Sequence, residues 1–389
     1  MAENSIKPRI RFKGYTDAWE QRKLGEVANI QKGQQLGKAE MSNNGAFYVL
    51  NGGMEPSGYT NQYNTFANTI SISEGGNSCG YVSLNLEQFW SGGHNYTLQN
   101  PRIDTFFLYQ WLKRHEKGIM ALRVGSGLPN IQKSALQDVI VAYPKKSEQR
   151  AIAEILNKID NLITLHQRKY DKFVNIKKAL LEKMFPQGDE TTPKIRFKGF
   201  TDAWEQRKLG DTIDFYSGLT YSPSDVVKDN GVFVLRSSNV REGEIVDEDN
   251  VYVRAGAVNS DNVNIGDIIV VVRNGSRSLI GKHAKIKKNM PQTVIGAFMT
   301  GLRYENSSYL NAVLNTSIFE KKIEKDLGAT INQITTGAFK KMVFPFPKQH
   351  EQLQIGDFFE QIDNLITLHQ RQLEKLKNIK SALLEKMFV

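Results

Sequence analysis

The sequence predicts an α+β protein: two tandem α/β domains separated by two long helices, which pack as an antiparallel coiled coil within a pseudo-twofold internal repeat. Two duplications carry this prediction. Ile-Asp-Asn-Leu-Ile-Thr-Leu-His-Gln-Arg stands at 159–168 and again, unchanged, at 362–371. Thr-Asp-Ala-Trp-Glu-Gln-Arg-Lys-Leu-Gly stands at 16–25 and again at 201–210. Because repeats of this length set the architecture, we expect two halves that share one fold.

The bulk composition is that of a basic globular chain. Its 389 residues suffice for two domains of ordinary size with connectors. The net charge of +10 and the pI of about 9.3 favour nucleic acid or a membrane face as partner, although a merely basic soluble protein has the same charge. Cys79 is the sole cysteine, which excludes an intramolecular disulfide and fits a reducing compartment.

No signal-peptide core is evident at the start of the chain, and no apolar run approaches the roughly 20 residues that cross a bilayer. We therefore expect a cytoplasmic protein with no membrane partner.

The two repeats align with an offset in residue number that changes along the chain. The offset is 185 at Leu50 and Leu235, 199 where 68–72 resembles 267–271, and 203 in the long helices. The second repeat is therefore the longer of the two, and all of its extra residues are inserted in its middle. Insertions of this kind belong in surface loops over a shared scaffold.

Apolar residues recur at three- and four-residue steps from Ile152 to Met184 and from Ile355 to Met387, as in a coiled-coil seam. The first helix would be about 57 Å long at 1.5 Å per residue. Twofold packing makes the helices antiparallel and places one domain at each end of a rod whose length acts as a ruler. The predicted division is 1–147 for the N-terminal segment and first domain, 148–185 for the central helix, 186–194 for a linker, 195–347 for the second domain and 348–389 for the distal helix.

Each predicted seam contains one histidine, His166 in the first helix and His369 in the second. One interpretation is a polar pair that sets the helix register. The other is a pair of partly exposed histidines where the helices meet a partner.

This organisation resembles the specificity subunit of type I restriction–modification enzymes over essentially the whole chain. The resemblance rests on Trp-Glu-Gln-Arg-Lys-Leu-Gly at 19–25 and 204–210, which opens each repeat, and on the two Ile-Asp-Asn-Leu-Ile helices. It rests also on Ser-Glu-Gln at 147–149 and His-Glu-Gln at 350–352, each soon after a proline. Each motif is weak alone, whereas the ordered and duplicated set is specific.

The resemblance implies that the two middle domains are target recognition domains, each binding one half of a bipartite site in double-stranded DNA. It implies that the helices set the spacer and dock two methyltransferase subunits, and that motor–nuclease subunits complete the restriction complex. The chain itself would be non-catalytic. It would direct adenine N6 methylation and the cleavage of unmodified DNA.

Base readout needs side chains that match base edges: Arg for guanine, Asn or Gln for adenine, Glu or Asp for cytosine. Asn51 falls opposite Arg236 at the offset of 185, and Glu74 falls opposite Arg273 at the offset of 199, each after an apolar strand. Such pairs exchange one base preference for another, although ordinary solvated loop residues give the same pattern. The predicted DNA contacts are Asn51, Glu74, Asn77, Arg123, Ser126, Asn130 and Lys133 in the first domain, and Arg236, Ser238, Asn239, Arg273, Asn274, Ser276, Arg277, Lys282, Asn332 and Gln333 in the second.

Two further features suit phosphate contacts, which position a protein on DNA without specifying sequence. Gly-Ser-Gly at 125–127 allows close approach of the backbone to a phosphate, or is a plain turn. The run of Lys282, Lys285, Lys287 and Lys288 is a phosphate-binding patch, or an ordinary solvated face.

Two other functions compete with sequence recognition. For an enzyme, the chain lacks the Pro-Pro of an adenine methyltransferase motif, a nucleotide-binding Gly-x-x-x-x-Gly-Lys-Ser/Thr loop, and metal-ligand spacing among its six histidines and one cysteine. We therefore expect no catalytic residue, cofactor or metal. A coiled-coil scaffold, or a DNA-binding protein without sequence preference, explains the helices equally well. It does not explain why identical ends flank such different middles.

Overall fold

The computed structural model describes residues 7–125, 127, 129–188, 190–327 and 332–389. The chain divides into unit 1, Met1–Gln167 with Arg371–Val389, and unit 2, Arg168–Gln370. The division crosses both long helices, α5 (Lys146–Met184) and α9 (Gln349–Met387). Each unit therefore contains an α/β body and one segment of each helix, and the two predicted long helices are confirmed.

The body of unit 1 is built from short strands and short helices. Its strands are β1 (Glu20–Lys23), β2 (Asn29–Lys32), β3 (Phe47–Leu50), β4 (Gly58–Thr60), β5 (Thr69–Ser73), β6 (Val82–Asn85), β7 (Trp90–Ser91), β8 (Asn95–Gln99) and β9 (Ile140–Tyr143). Its helices are α1 (Leu24–Val27), α2 (Thr105–Arg114), α3 (Glu116–Ala121) and α4 (Lys133–Gln137). Among these described elements, β2-β8-β5-β6 form an antiparallel sheet, β4-β3-β7 form a second sheet, and β1 pairs with β9.

The body of unit 2 repeats this plan with additions. Its strands are β10 (Glu205–Lys208), β11 (Asp214–Ser217), β12 (Val226–Val227), β13 (Val232–Leu235), β14 (Val240–Arg241), β15 (Glu244–Ile245), β16 (Val251–Val253), β17 (Ile268–Val271), β18 (His283–Lys285), β19 (Thr293–Ile295), β20 (Met299–Arg303) and β21 (Val343–Phe346). Its helices are α6 (Ser307–Leu314), α7 (Ser317–Asp326) and α8 (Thr336–Lys341). The sheets are β11-β20-β17-β18 and β12-β16-β13-β19, with the pairs β10-β21 and β14-β15.

Strand pairing fixes the true offset between the repeats. In unit 1, β5 pairs with β8 at Ile70 and Leu98, and in unit 2, β17 pairs with β20 at Ile268 and Leu302. Leu98 and Leu302 are equivalent, because each also faces the first strand of its sheet, at Ile30 and at Phe215, where the offset is still 185. The offset between β5 and β17 is therefore 198, from Ile70 to Ile268, and the predicted offset of 199 was wrong by one position.

This correction changes which residues correspond. Glu74 is equivalent to Val272, and Arg273 is equivalent to Gly75, so the predicted pairing of Glu74 with Arg273 was wrong. A slip of one residue turns every side chain of a strand to the opposite face of the sheet. The sequence did not reveal the slip because β17, Ile-Ile-Val-Val, is buried on both faces and shows no alternation that would fix its register.

The extra residues of unit 2 enter at more than one loop. The offset is still 185 at Phe47 and Val232, but it has risen to 193 at their strand partners Thr60 and Val253. This first insertion lies between β13 and β16 and carries the hairpin β14–β15. The insertion is therefore a folded element on a shared scaffold.

The inserted hairpin is attached to the long helix within unit 2. Gln370 Nε2 of α9 donates to Glu242 Oε2 at 2.7 Å, and Thr367 Oγ1 donates to Glu244 Oε1 at 3.1 Å. Lys287 Nζ forms an ion pair with the same Glu244. The hairpin thus links the body of unit 2 to its segment of α9.

The helix segments of unit 2 pair in antiparallel fashion. Lys177 Nζ lies 2.7 Å from Asp363 Oδ1, and the rings of Phe173 and His369 stack at 5.7 Å, so residue numbers rise along one helix as they fall along the other. His369 is buried, which disfavours the predicted partly exposed role for this residue. Within the described ranges, no helix has an apolar stretch of the length and hydropathy needed to cross a membrane.

The duplicated motifs build the junction between each body and its helices. The motif tryptophans are buried: Trp19 packs edge-on against Phe388 in unit 1, and Trp204 packs against Phe185 in unit 2. Arg11 forms a bidentate pair with the buried Glu148. Arg196 does the same with Glu351. These contacts explain in structural terms why the motif residues recur in both repeats.

Candidate DNA-recognition site

Three chain segments converge at one edge of the unit 2 body. Arg236 follows β13, Arg273 follows β17, and the turn from 296 to 298 joins β19 to β20. Gly296 N donates to Leu235 O at 2.8 Å, and Arg273 N donates to Phe298 O at 3.2 Å. The backbone hydrogen bonds therefore fix where the side chains of these segments begin.

In both units a glycine also brings a further segment against the turn, Gly218 after β11 in unit 2 and Gly33 after β2 in unit 1. A Cβ on Gly218 would lie 2.0 Å from Gly296 O, and a Cβ on Gly33 would lie 2.2 Å from Gly92 O. Any side chain at these positions would push the turn away from the neighbouring strand. The segment after the first strand of this sheet therefore lies against the turn through a close backbone approach that glycine alone allows.

Arg236 lines a cleft of about 760 Å³, together with the predicted residues Ser238 and Asn274. Its guanidinium Nη2 donates to the backbone oxygen of Asp249 at 2.7 Å and also pairs with the Asp249 carboxylate. Apolar side chains such as Tyr221 form the wall of the cleft. Arg236 is therefore preorganised at the cleft and already partly neutralised.

Arg273 is exposed, and its guanidinium lies over the ring of Phe298, 5.0 Å from the centroid. Its backbone bridges to Gln333, a predicted contact on the neighbouring loop. Asn274 Nδ2 donates to Ser237 Oγ at 2.9 Å, which ties the loop after β17 to the loop after β13. The structure thus brings Arg236, Ser238, Arg273, Asn274 and Gln333 into one neighbourhood.

The remaining loop residues support this neighbourhood. Asn274 Oδ1 accepts from Ser276 N at 2.9 Å, and Asn332 Nδ2 donates to Gly275 O at 3.0 Å. These bonds hold the 273–276 loop in shape through side-chain amides. Ser276 remains exposed, as expected of a residue that meets a partner.

Asn239 was predicted as a DNA contact, and the structure contradicts this. Its side chain is 0% exposed. Its Oδ1 accepts from Arg236 N at 2.9 Å, and its Nδ2 donates to Glu248 O at 2.7 Å. An amide used in this way stabilises the 236–250 loop and has no face left for a base.

Arg277 and Lys282 lie elsewhere. Both line a second cleft of about 990 Å³, beside Glu320, Glu324 and Asp363, rather than the cleft at Arg236. Carboxylates beside these cations weaken the case for phosphate contacts there. They are the two predicted residues of unit 2 that the structure separates from the rest.

The predicted lysine run is not one solvated or phosphate-facing stripe. Lys285 Nζ is largely buried and pairs with Glu360 Oε1 at 2.9 Å. Lys287 pairs with Glu244, whereas Lys282 and Lys288 are exposed. Of the four lysines only Lys285 lies in β18, and the others flank this strand, so the run does not form one continuous face.

In unit 1 the equivalent edge is occupied by paired polar groups. Asn51 Oδ1 accepts from His94 N at 3.1 Å. Glu74 is 12% exposed, and its Oε1 accepts from Lys32 Nζ at 2.5 Å and from Tyr96 OH at 3.0 Å. Burial, with the bond to Glu74, raises the pKa of Tyr96 to about 12. The prediction of Glu74 as a base contact is therefore not supported, since this carboxylate is mostly buried and anchors Lys32 and Tyr96.

The other predicted residues of unit 1 lie on its surface. Asn77 is exposed in the loop between β5 and β6, Arg123 is exposed after α3, and Lys133 is exposed at the start of α4. Asn130 forms backbone bridges to Val124 and Gly75, and its Oδ1 accepts from the Gln132 amide. Ser126 lies outside the described residues.

Sequence reasoning missed two ring residues. His94 and Phe298 are equivalent, because Glu74 N donates to His94 O and the matching Val272 N donates to Phe298 O, both at 3.0 Å. Both rings are substantially exposed. Their equivalence, at an offset of 204 residues, follows from the strand register. No local sequence motif indicates it.

Comparison with known proteins agrees with this architecture. Residues 16–173 and 201–378 each match the family described as the type I restriction modification DNA specificity domain. A Mycoplasma genitalium protein whose name places it among type I specificity subunits is 25% identical over 385 residues, which cover 95% of this chain and 94% of that one. The specificity subunit of a Methanocaldococcus jannaschii type I restriction enzyme is 26% identical over 300 residues, covering 74% of this chain and 70% of that one.

The fold itself has a solved counterpart. The crystal structure of a type I restriction–modification S subunit from M. genitalium superposes with a TM-score of 0.79 at 22% identity, covering 99% of both chains. At this identity the match establishes the fold. The two family matches together cover most of the chain, one in each repeat. The chain therefore belongs to the type I restriction–modification DNA specificity family.

Proposed function

We propose that the chain is the sequence-recognition subunit of a type I restriction–modification complex, with one recognition domain for each half of a bipartite DNA site. The observation that carries this proposal is a shared framework with different side chains at matching positions. Asn51 stands where unit 2 has Arg236, and His94 stands where it has Phe298. A scaffold gains nothing from such variation, whereas a pair of domains that read different half-sites requires it.

The chemistry of these positions suits base edges in the major groove. Arginine donates two hydrogen bonds to O6 and N7 of guanine, and asparagine pairs with N6 and N7 of adenine. Arg273 is exposed on the site edge of unit 2, and Asn51 lies at the same edge of unit 1. The basic net charge of +10 supplies the phosphate attraction on which such readout depends.

The long helices have two roles in the proposal. Each is 39 residues long, about 58 Å at 1.5 Å per residue, and this length sets the spacer between half-sites. The repeated segment also exposes the same leucines in both copies, Leu162 and Leu165 in α5, Leu365 and Leu368 in α9. Two equal apolar surfaces suit two copies of one partner, which we assign to two methyltransferase subunits.

The remaining parts of the proposal concern the complex. Recognition domains lie within 1–147 and 195–347, and 186–194 links the repeats. The chain directs adenine N6 methylation and, with motor–nuclease subunits, restriction of unmodified DNA, but catalyses neither. It acts in the cytoplasm, where the DNA of a prokaryotic cell lies. The names of its relatives, which separate specificity from enzyme, support this division of labour.

Mapping of methylated adenine across the genome tests the proposal. Cells that express the chain with its methyltransferase partner are compared with cells that lack only this chain. We expect a two-part motif with a fixed gap that appears only when the chain is present. If the complex assembles and no chain-dependent methylation appears, the recognition function is wrong and the scaffold alternative gains.

A further inference from the structure

Phe298 has no structural duty that explains its exposure. The residue lies in the turn between β19 and β20, and its side chain is 49% exposed. Its backbone oxygen accepts from both Val272 N and Arg273 N, so the ring starts from a fixed point. Because single exposed apolar residues are common on protein surfaces, the case for a role of Phe298 rests on what its ring contacts.

The ring of Phe298 contacts the guanidinium of Arg273, whose N–H groups remain free, within the described part of the chain, to donate hydrogen bonds to a ligand. The guanidinium of Arg273 lies 5.0 Å above the Phe298 centroid. Among the described residues, none accepts a hydrogen bond from the Arg273 guanidinium. By contrast, Arg236, Arg254 and Arg303 are each paired with an aspartate. Stacking on a ring face leaves the in-plane N–H groups directed outwards.

The stacked pair of Phe298 and Arg273 lies beside other residues that were predicted to contact DNA. Phe298 also lines the cleft of Arg236, Ser238 and Asn274. The loop that carries Arg273 is held by the Asn274–Ser237 hydrogen bond of 2.9 Å. Ring, loop and backbone thus restrict the guanidinium to the face of Phe298, a residue that itself lines the cleft.

We propose that Phe298 is a positioning residue for base recognition: its ring holds the Arg273 guanidinium in the orientation that reads one guanine of the second half-site. An exposed arginine loses much rotamer freedom when it binds a base, and an aromatic platform removes part of that cost beforehand. This inference rests on the proposed function and assigns a base type and a mechanism to part of the same site.

The test uses the complete methyltransferase complex and a library of DNA duplexes in which each position of the second half-site carries all four bases. Wild type should prefer guanine at one position there, and Arg273→Ala should relax that preference about 5- to 150-fold. Phe298→Leu keeps an apolar side chain but removes the ring, and should relax the same position about two- to thirtyfold. Phe298→Tyr keeps the ring and should retain the preference.

The double variant separates positioning from general damage. If Phe298 acts through Arg273, Phe298→Leu adds no further relaxation in an Arg273→Ala background. Phe66→Leu, the same change at an exposed phenylalanine of unit 1, is the matched control and should leave the second half-site unchanged.

Several results would overturn the inference. These are a second half-site without guanine, an equal loss for Phe298→Tyr and Phe298→Leu, a uniform weakening over all sequences, or additive effects in the double variant. Each of them leaves the wild-type bipartite motif in place. Absence of any such motif with wild type would instead contradict the proposed function itself.

Discussion

The same framework holds two different electrostatic arrangements in the two units. In unit 1, Glu74 gathers Lys32 and Tyr96 into an internal network at the end of β5. In unit 2 the position matched to Glu74 is the apolar Val272, and the next residue, Arg273, is exposed against a ring. The glycine contacts and the strand order are common to both. The comparison shows that the shared scaffold fixes where each side chain begins. Single residue differences between the units then decide whether that side chain forms internal bonds or is exposed to a partner.

The largest expected effect tests whether the equivalent ion pairs at the two body–helix junctions stabilise their units equally. Glu351→Gln would leave the guanidinium of Arg196, which is mostly buried, without its bidentate partner, and should destabilise unit 2 by about 3–5 kcal/mol. Glu148→Gln should do the same in unit 1, because the pair with Arg11 has the same geometry. Urea unfolding of both variants measures the free energies.

The exposed pair of Asp202 with Lys348 supplies the control for this experiment. Both side chains are well exposed, and Asp202→Asn should leave the unfolding midpoint nearly unchanged. A large loss for only one of the two glutamates would show that the repeats do not share their junction energetics.

The next effect concerns acid, and we expect its larger histidine contribution in unit 2. Burial lowers the pKa of His115 in unit 1 as well, but that ring is only partly buried. His283 is buried between Gly281 O, which accepts from Nδ1–H at 3.0 Å, and Asn315 Nδ2, which donates to Nε2 at 3.1 Å. Burial lowers the pKa of His283 from 6.5 to about 4. As the pH falls, His283 of the unfolded chain is protonated below about pH 6.5, whereas His283 of the folded chain is protonated only near pH 4. The free energy of unfolding therefore falls by about 3 kcal/mol as the pH is lowered through this window.

The residue that matches His283 in unit 1 is Val82, which has no charge to gain. Stability as a function of pH, measured for wild type and for His283→Gln, tests the prediction. The variant should lose less stability than wild type between pH 6.5 and pH 4. Parallel curves would mean that other groups cause the acid sensitivity.

The smallest expected effect is at Asn51. Asn51→Ala should relax one position of the first half-site by about 1–3 kcal/mol and leave the second half-site as it was. Methylation of the duplex library by the assembled complex measures both half-sites at once. Relaxation of both half-sites by this one change would show that the two units do not read independently.

Much of the fold was predictable because the sequence contains an internal repeat. The duplicated segments gave the long helices, and their heptad steps agree with the antiparallel contacts of Lys177 with Asp363 and of Phe173 with His369. The offset of 185 placed Asn51 opposite Arg236 correctly. Duplication works as an internal control, since a pattern that is weak once becomes informative when it recurs in order.

The site was less predictable, for identifiable physical reasons. The register of β17 was hidden because all four of its residues are buried. Asn239 looks like any polar loop residue, and only the folded loop shows that its amide is consumed by Arg236 N and Glu248 O. Phe298 carries no motif, because its role depends on Arg273, which lies in a different loop of the chain.

The hairpin β14–β15 gives unit 2 a mechanical property. Its bonds from Glu242 and Glu244 to Gln370 and Thr367 act as a brace between the recognition body and α9. In the described residues of unit 1, the shorter loop from 51 to 57 carries no such hairpin. The bonds of the hairpin add to the junction contacts that both bodies have, such as Arg11–Glu148 in unit 1 and Arg196–Glu351 in unit 2. We therefore expect the body of unit 2 to be held more stiffly against its helix segment than the body of unit 1.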